Sequence, residues 1–363
     1  MFIQGHSPAT AERPRGHVGH LLCRSPGARP LPDPLAHLAK GFSVLLSRTT
    51  RIGTLVAAAL ISLGALTACG GNAPSGSQAD SGTWAKSAGT IVFGATPDQA
   101  GSDSNNKPLE DYIAKTTGYK VEYYPTSDYT ALIAAAVAGK VDMITSGALQ
   151  YVMAVNKGAK LTPVAATLTS PKVQDPGYYS EAIVPAGSPI TTLADAKGKK
   201  VCFVDPNSTS GFLFGLYQLH QAGLDVNSSG TDANGNPTFN DFTAYFAGAH
   251  DKSEQTVASK QCDVGFAEDT VVDPAVAKGE VTVIGKEYVP GGPLAISTTL
   301  PADAQAKLTA ALQGASLDAI KASGVPLTEG FTEGYFGAQK EDASYYKSIT
   351  DLCTSIPAAK CSK

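Results

Sequence analysis

The chain has 363 residues, 43% hydrophobic and 17% charged, enough to bury a sizeable core in one large or two medium domains. Its 28 Lys/Arg against 32 Asp/Glu give a net charge of -4, but seven of the basic and two of the acidic residues precede Cys69, leaving 21 against 30 and about -9 beyond it. That balance argues against a nucleic-acid partner. Every arginine falls at or before Arg51, so a later anion site works without a guanidinium fork, and only His220 and His250 follow residue 68, too few for a His-rich metal centre.

The first element is an address. Ser47–Arg51 is basic, Ile52–Ala68 is apolar and rich in small residues, and the run ends in Leu66-Thr67-Ala68-Cys69-Gly70-Gly71. This order describes a secretory signal, and its ending resembles a bacterial lipobox, which implies lipidation of Cys69. A membrane-spanning helix needs about 20 apolar residues, more than this run supplies. Residues 1–43 are rich in Pro, Arg, Gly and His, lack periodicity and precede a complete signal; translation is expected to start near Val44. Gly70–Ser87, mostly small and polar, reads as a flexible tether. The even set Cys202, Cys262, Cys353 and Cys361 suits an oxidising compartment. Four cysteines allow three pairings; Cys202 with Cys262, each opening a β-like run, and Cys353 with Cys361 as a local clip are favoured. No CxxC spacing supports zinc, and neither metal nor cofactor is expected.

From residue 90, strand and helix signals alternate. Ile91–Ala95 is a strand, Pro108–Thr117 a helix closed by Gly118, and Lys120–Tyr124 a strand. Tyr129–Ala138 is an Ala-rich helix closed by Gly139, Val141–Thr145 a strand, Leu149–Asn156 a helix, and Leu161–Leu168 a strand. The pattern restarts with Tyr179–Pro185 extended, Leu193–Lys197 a short helix, Lys200–Val204 a strand and Gly211–Ala222 a helix. Phe242–Phe246 is extended, Ser253–Ser259 helical, and Asp263–Ala267, Val281–Ile284 and Leu294–Ser297 are strands before a long helix over Ala302–Ser323. Alternation of this kind predicts an α/β fold with mostly parallel sheets flanked by helices. The expected division is 1–68 extension and signal, 69–88 tether, 89–180 first lobe, 181–294 second lobe, and 295–363 return to the first lobe with C-terminal helices. Crossovers near 178–184 and 291–297 are expected to act as hinges around a cleft at the strand ends.

The chemistry concentrates in Asp205-Pro206-Asn207-Ser208-Thr209-Ser210-Gly211, where a buried strand runs into a turn that opens a helix. One hydroxyl residue suffices to cap a helix; three exceed that need. First-turn N–H groups at the positive end of the dipole, with spare hydroxyls, form an anion cradle. Each charge-assisted hydrogen bond nets about 1.5–3 kcal/mol, so four leave enough for micromolar binding, about 8 kcal/mol, after ordering costs.

This loop resembles the signature of phosphonate/phosphite/phosphate-binding proteins of ABC importers. So do Phe246-Ala247-Gly248-Ala249-His250-Asp251, Cys262-Asp263-Val264-Gly265-Phe266-Ala267, Ser127-Asp128-Tyr129, Gly147 to Tyr151 and Tyr288-Val289-Pro290-Gly291-Gly292-Pro293, in family order over residues 90–330. The resemblance implies a two-lobed type II periplasmic-binding-protein fold, a small phosphorus oxyanion as ligand and an ABC importer permease as partner; the lipid on Cys69 is expected to be the only membrane contact, and the protein a monomer. The resemblance also implies that Ser208, Thr209 and Ser210 hold the oxyanion, that Tyr129 reaches across from the first lobe, that His250 donates a hydrogen bond, and that Tyr178 or Tyr179 lines the cleft. Asp269 is expected to accept a hydrogen bond from a protonated phosphorus oxygen and so reject sulfate. Ordinary packing is the alternative for the tyrosines and for His250.

Two other classes compete. A sulfonate or thiamine precursor would suit the same scaffold. A hydrolase lacks a Gly-x-Ser-x-Gly elbow, and Ser104-Asn105-Asn106-Lys107 matches Ser-x-x-Lys in a loop-like context that favours chance. A general acid–base enzyme using His250 and Asp251 is opposed because neighbours on an extended segment point to opposite sides.

Overall fold

The computed structural model describes residues 84–361 apart from 171, 172 and 174. The leader through Ala68, Cys69 and the tether to residue 83 lie outside the described residues. Among those described, no helix is long and apolar enough to cross a membrane.

In chain order the first lobe opens with β1 (Thr90–Ala95), α1 (Ser102–Thr117), β2 (Lys120–Tyr124), α2 (Tyr129–Val137), β3 (Met143–Thr145), α3 (Ala148–Asn156) and β4 (Leu161–Leu168). The second lobe holds β5 (Gly177–Pro185), β6 (Lys200–Phe203), α4 (Phe214–Gln221), the small hairpin β7 (Gly230–Thr231) and β8 (Pro237–Thr238), β9 (Thr243–Phe246), α5 (His250–Ala258), β10 (Val264–Glu268), α6 (Asp269–Ala277) and β11 (Val281–Pro290). The chain then returns through β12 (Pro293–Ser297), α7 (Ala302–Gln313), α8 (Leu317–Ser323), α9 (Glu329–Gly334), β13 (Gly337–Gln339) and α10 (Lys347–Ser355).

The first sheet runs β13-β4-β12-β3-β1-β2 and the second β11-β5-β10-β6-β9. In each, four strands share a direction, because β12 lies antiparallel between β3 and β4, and β5 lies antiparallel between β10 and β11. β5 and β12 are the first strands after each lobe crossing, so the crossing chain enters each sheet against its grain. The crossings lie at residues 169–176 and 291–292. The first precedes the expected hinge at 178–184, a stretch locked inside the second sheet by pairing with β10 and β11.

Local chemistry explains most boundaries. Gly118 ends α1 at φ 75°, its N–H reaching Ala114 O, a left-handed cap that glycine adopts freely. Asp128 starts α2 by accepting from Ala131 N at 2.8 Å. Three expectations are corrected. α1 begins at Ser102, six residues before Pro108, which sits inside the helix; Ser104–Lys107 is therefore helical rather than loop-like. The helix expected over 302–323 breaks after Gln313, where Ser316 recaps the chain by accepting from Ala319 N. α5 begins at His250, not Ser253.

Disulfides join Cys202 to Cys262 and Cys353 to Cys361, with Cα separations of 5.8 and 5.7 Å. The interior of the second lobe is aromatic. Phe203 stacks on Phe266 at 5.6 Å and meets Phe212 edge-on at 5.3 Å, so the strand before residues 205–211 and the helix after them rest on one rigid cluster.

Candidate functional site

Residues 205–211 form a turn held by its own polar groups. Asp205 Oδ1 accepts from the backbone N–H of Asn207 at 2.8 Å and its side chain at 2.9 Å, and Ser208 N–H reaches Asp205 O at 2.9 Å. Ser208 is the cap: its backbone is extended and its Oγ accepts from Gly211 N at 3.1 Å. A wide π-type turn over Thr209–Leu213 leads into α4. The amides of Thr209 and Ser210 open this turn and have no intrahelical acceptor. Gly211 is required sterically, since a Cβ there would drive into the Val204 side chain.

A cavity of about 150 Å³ lies beside this turn, and Tyr129, Tyr178, Ser208, Thr209, His250 and Glu268 are among its lining residues. Tyr129 lies in the first turn of α2 and is 2% exposed, yet its hydroxyl makes no hydrogen bond among the described residues. A buried phenol without a partner is costly and rational where a ligand completes it. His250 Nδ1 accepts from Glu268 N–H at 3.1 Å, which assigns the ring hydrogen to Nε2. Burial pushes its pKa down to about 4, against the opposing pull of Asp98 and Asp251, so the ring is a neutral donor.

Asp98 and Glu268 face the same space. Both line the cavity and are half-buried. Burial pushes Glu268 up to about 7, with Thr270 Oγ1 donating to it at 2.9 Å in opposition. Asp98 rises to about 6, first through burial and then through the charge of Glu268, while His250 and a 2.8 Å bond from Ser102 Oγ pull the other way.

The lobes meet around the cavity through direct hydrogen bonds. Thr209 Oγ1 accepts from Leu149 N at 2.9 Å, His250 N reaches Asp98 O at 2.8 Å, and Asn207 Nδ2 reaches Thr130 Oγ1 at 3.0 Å.

Five of the expected ligand residues therefore border one cavity: Ser208, Thr209, His250, Tyr129 and Tyr178. Three do not. Ser210 is buried behind the turn, its carbonyl accepting from Ser180 Oγ at 2.8 Å and its hydroxyl lying against the Tyr178 phenol. Tyr179 follows Tyr178 on β5 and so points to the other face, where its ring packs under Lys286 Nζ at 3.6 Å. Asp269 is turned away, accepting from Ser170 Oγ at 2.7 Å and Tyr179 N at 3.2 Å; its neighbour Glu268 takes the place expected for it. His250 and Asp251 sit on the first turn of a helix rather than an extended segment, and Asp251 Oδ1 caps its own Lys252 N at 2.9 Å. Asp98 escaped the sequence reading; the usable signal was its place just beyond the C-terminal end of β1. Among the described residues, no cluster of three or more His, Cys, Asp or Glu side chains could hold a metal ion.

Residues 93–345 match a family model described as the periplasmic substrate-binding protein of phosphonate ABC transporters. Over 292 residues the chain is 35% identical to the phosphate-import protein PhnD of Mycolicibacterium smegmatis, covering 75% of this chain and 87% of that one. Two solved structures share its fold. The binding component of a phosphonate ABC transporter from Pseudomonas aeruginosa aligns with a TM-score of 0.61 at 23% identity, over 75% of this chain and 87% of that one. A Prochlorococcus marinus protein solved with methylphosphonate aligns at 0.58 and 19% identity, over 74% and 98%.

Proposed function

This chain belongs to the family of periplasmic substrate-binding proteins of phosphonate ABC transporters, and on that footing we propose that its cleft captures a compact phosphorus oxyanion, whether phosphite, a phosphonate or phosphate, and hands it to an importer permease. It is a binding protein and not an enzyme, as its relatives are. In this reading it works as a monomer held at the outer face of the cell membrane by a lipid on Cys69.

The observation that carries the ligand assignment is the unpartnered Tyr129 hydroxyl, buried across the cavity from the Ser208–Thr209 turn. Hydroxyls, free amides and the His250 Nε2–H from the second lobe, with the Tyr129 phenol from the first, can all donate, so the occupant is rich in acceptors. The carboxyls add selectivity. Glu268, whose pKa burial raises to about 7 so that both forms are populated near neutral pH, donates to an oxyanion when protonated and accepts from a P–OH when not; sulfate brings no proton to the second arrangement. The naming of one relative for phosphate import and the methylphosphonate in one fold neighbour agree with this range.

A thermal-shift and calorimetry panel of phosphite, phosphate, methylphosphonate, 2-aminoethylphosphonate, sulfate and taurine tests the ligand class. At least one phosphorus compound is expected to bind at micromolar or tighter concentration while sulfate and taurine do not. Preferential binding of taurine would transfer the assignment to sulfonates. For the anchor, mass spectrometry of the membrane fraction is expected to find Cys69 as a lipidated N-terminus; peptides spanning Ala68–Cys69 in the mature protein would refute it.

A further inference from the structure

We propose that Gln150, a side chain that does not itself line the cavity, is the positioning residue of the site: it aims the Tyr129 phenol and fixes the first-lobe wall around it. The inference rests on the ligand contact proposed above for Tyr129 and names what sets that contact.

Gln150 lies in the first turn of α3 and is 1% exposed. Its carboxamide meets three segments of the first lobe at once. Oε1 accepts from Thr96 Oγ1 at 2.7 Å, just beyond β1, and from Gly147 N–H at 3.3 Å, in the turn between β3 and α3. Nε2 donates to the backbone carbonyl of Tyr129 at 3.2 Å, where α2 begins. A backbone N–H only donates and a carbonyl only accepts, so a single orientation of the amide satisfies all three bonds. Thr96, Gly147 and Tyr129 all line the cavity.

Each bond has a consequence there. The Tyr129 hydroxyl has no partner among the described residues, so its direction comes from its ring packing and its backbone. Gln150 holds that backbone from the buried side, while Asp128 holds the same turn from the exposed side by accepting from Ala131 N at 2.8 Å. Thr96 uses its one hydroxyl hydrogen on Gln150, so toward an occupant it only accepts. The Gly147 bond steadies the turn against which the second lobe rests, where Leu149 N–H reaches Thr209 Oγ1 at 2.9 Å.

Helix capping alone does not account for this residue. A glutamine at the third helical position caps by reaching back to one backbone N–H, here that of Gly147; the bonds to Thr96 and Tyr129 exceed that need. Leu149, Val152 and Met153 around it are buried and apolar, a setting in which an amide is costly unless it is hydrogen-bonded.

Gln150→Met keeps the length of the side chain and removes all three bonds. Calorimetry uses whichever of phosphite, phosphate, methylphosphonate, sulfate and taurine binds the wild type most tightly. It compares wild type, Gln150→Met, Tyr129→Phe and the double variant, each at a temperature where it is folded. Gln150→Met is expected to lose at least about tenfold in affinity. Added to Tyr129→Phe it is expected to lose only about threefold, because the hydroxyl it aims is already gone. Should Gln150→Met melt early, Gln150→Glu gives a second readout. A neutral carboxylic acid still donates to the Tyr129 carbonyl, an ionised one does not, and burial raises its pKa. Relative to wild type, the affinity of Gln150→Glu is expected to be within about threefold at about pH 5 and at least about tenfold weaker at about pH 9. The titrations of the ligand and of Asp98, Glu268 and His250 are common to both proteins and leave that ratio unmoved.

Equal losses in both backgrounds, wild-type affinity in a folded Gln150→Met, or a Gln150→Glu ratio that stays flat with pH overturns the positioning role and leaves the ligand class standing. Tightest binding of sulfate or taurine overturns the ligand class, while the same ratios, read with that ligand, still decide the role of Gln150. Binding of none of the five overturns both.

Discussion

Thr209 Oγ1 accepts a hydrogen bond from the backbone N–H of Leu149 at 2.9 Å, so a residue that opens the 208–213 turn of one lobe also satisfies an otherwise free first-turn amide of α3 in the other. The hydroxyl hydrogen stays available to a ligand. In the proposed reading binding and lobe closure share one atom, and the fit around it is tight: a Cβ on Gly147 would lie 2.6 Å from Thr209 Oγ1.

Gly147 has an ordinary φ of -63°, so alanine is conformationally acceptable there and its effect is steric. Gly147→Ala is expected to weaken ligand binding by about tenfold or more, the scale of a 1–3 kcal/mol overpacking cost. The ligand-free melting temperature should change little, because the clash arises between lobes. Unaltered affinity by calorimetry would show that closure does not use this contact.

Tyr129→Phe removes a buried hydroxyl that no described protein group satisfies. Stability of the free protein should hold or rise slightly, since a desolvated phenol is deleted. Affinity for the oxyanion should drop by about tenfold, the loss of one hydrogen bond to a charged partner. A variant that binds like wild type but melts several degrees lower would reassign Tyr129 to packing.

Glu268 should leave a pH signature in the free protein. Its folded pKa of about 7 lies above the ordinary value of 4.5, so the stability tied to its neutral form is complete below about pH 4.5 and is lost as pH rises through about 7. Asp98, raised from 3.8 to about 6, acts in the same direction at lower pH. His250 acts oppositely: with its pKa lowered from 6.5 to about 4, its contribution is present above 6.5 and lost as pH falls through 4. Between pH 6.5 and 8 Glu268, with the highest of the raised carboxyl values, contributes the largest downward slope, opposed by the end of the His250 change. The ligand-free melting temperature should fall across that interval, and Glu268→Gln should flatten the fall; an unchanged slope in the variant would contradict the assignment.

The Cys202–Cys262 bridge ties β6 to the entrance of β10 across 60 residues. Replacing both cysteines by alanine should cost about 2–5 kcal/mol of stability. It should spare ligand affinity at temperatures where the variant stays folded, because neither residue borders the cavity. Chemical denaturation measures the first quantity and calorimetry the second.

What the sequence made legible follows a physical pattern. Elements closed by Gly118, Gly139 and Gly158 were readable because each glycine adopts the left-handed conformation that stops a helix. The Ser208–Thr209 turn was readable because capping chemistry is written in consecutive residues. Choices that depend on a single step were not. The sequence leaves Tyr178 and Tyr179 as alternatives and points to Asp269 where Glu268 borders the cavity; at a strand–helix junction or along a strand, one residue reverses the direction of a side chain. The interleaving of β5 and β12 also stayed hidden, because it is set by pairing with strands far away in sequence. Asp98 carries no motif, and its role arises from enclosure by His250 and Glu268, partners about 150 residues distant.

The most direct measurement is calorimetry of the Ser208→Ala, Thr209→Ala double variant against phosphite, phosphate and methylphosphonate, with circular dichroism to verify folding. Loss of at least a hundredfold in affinity, about 2.7 kcal/mol, for whichever of these the wild type binds is the predicted result. A folded double variant that retains wild-type affinity for that ligand would contradict an anion held by the hydroxyls and first-turn amides of this loop.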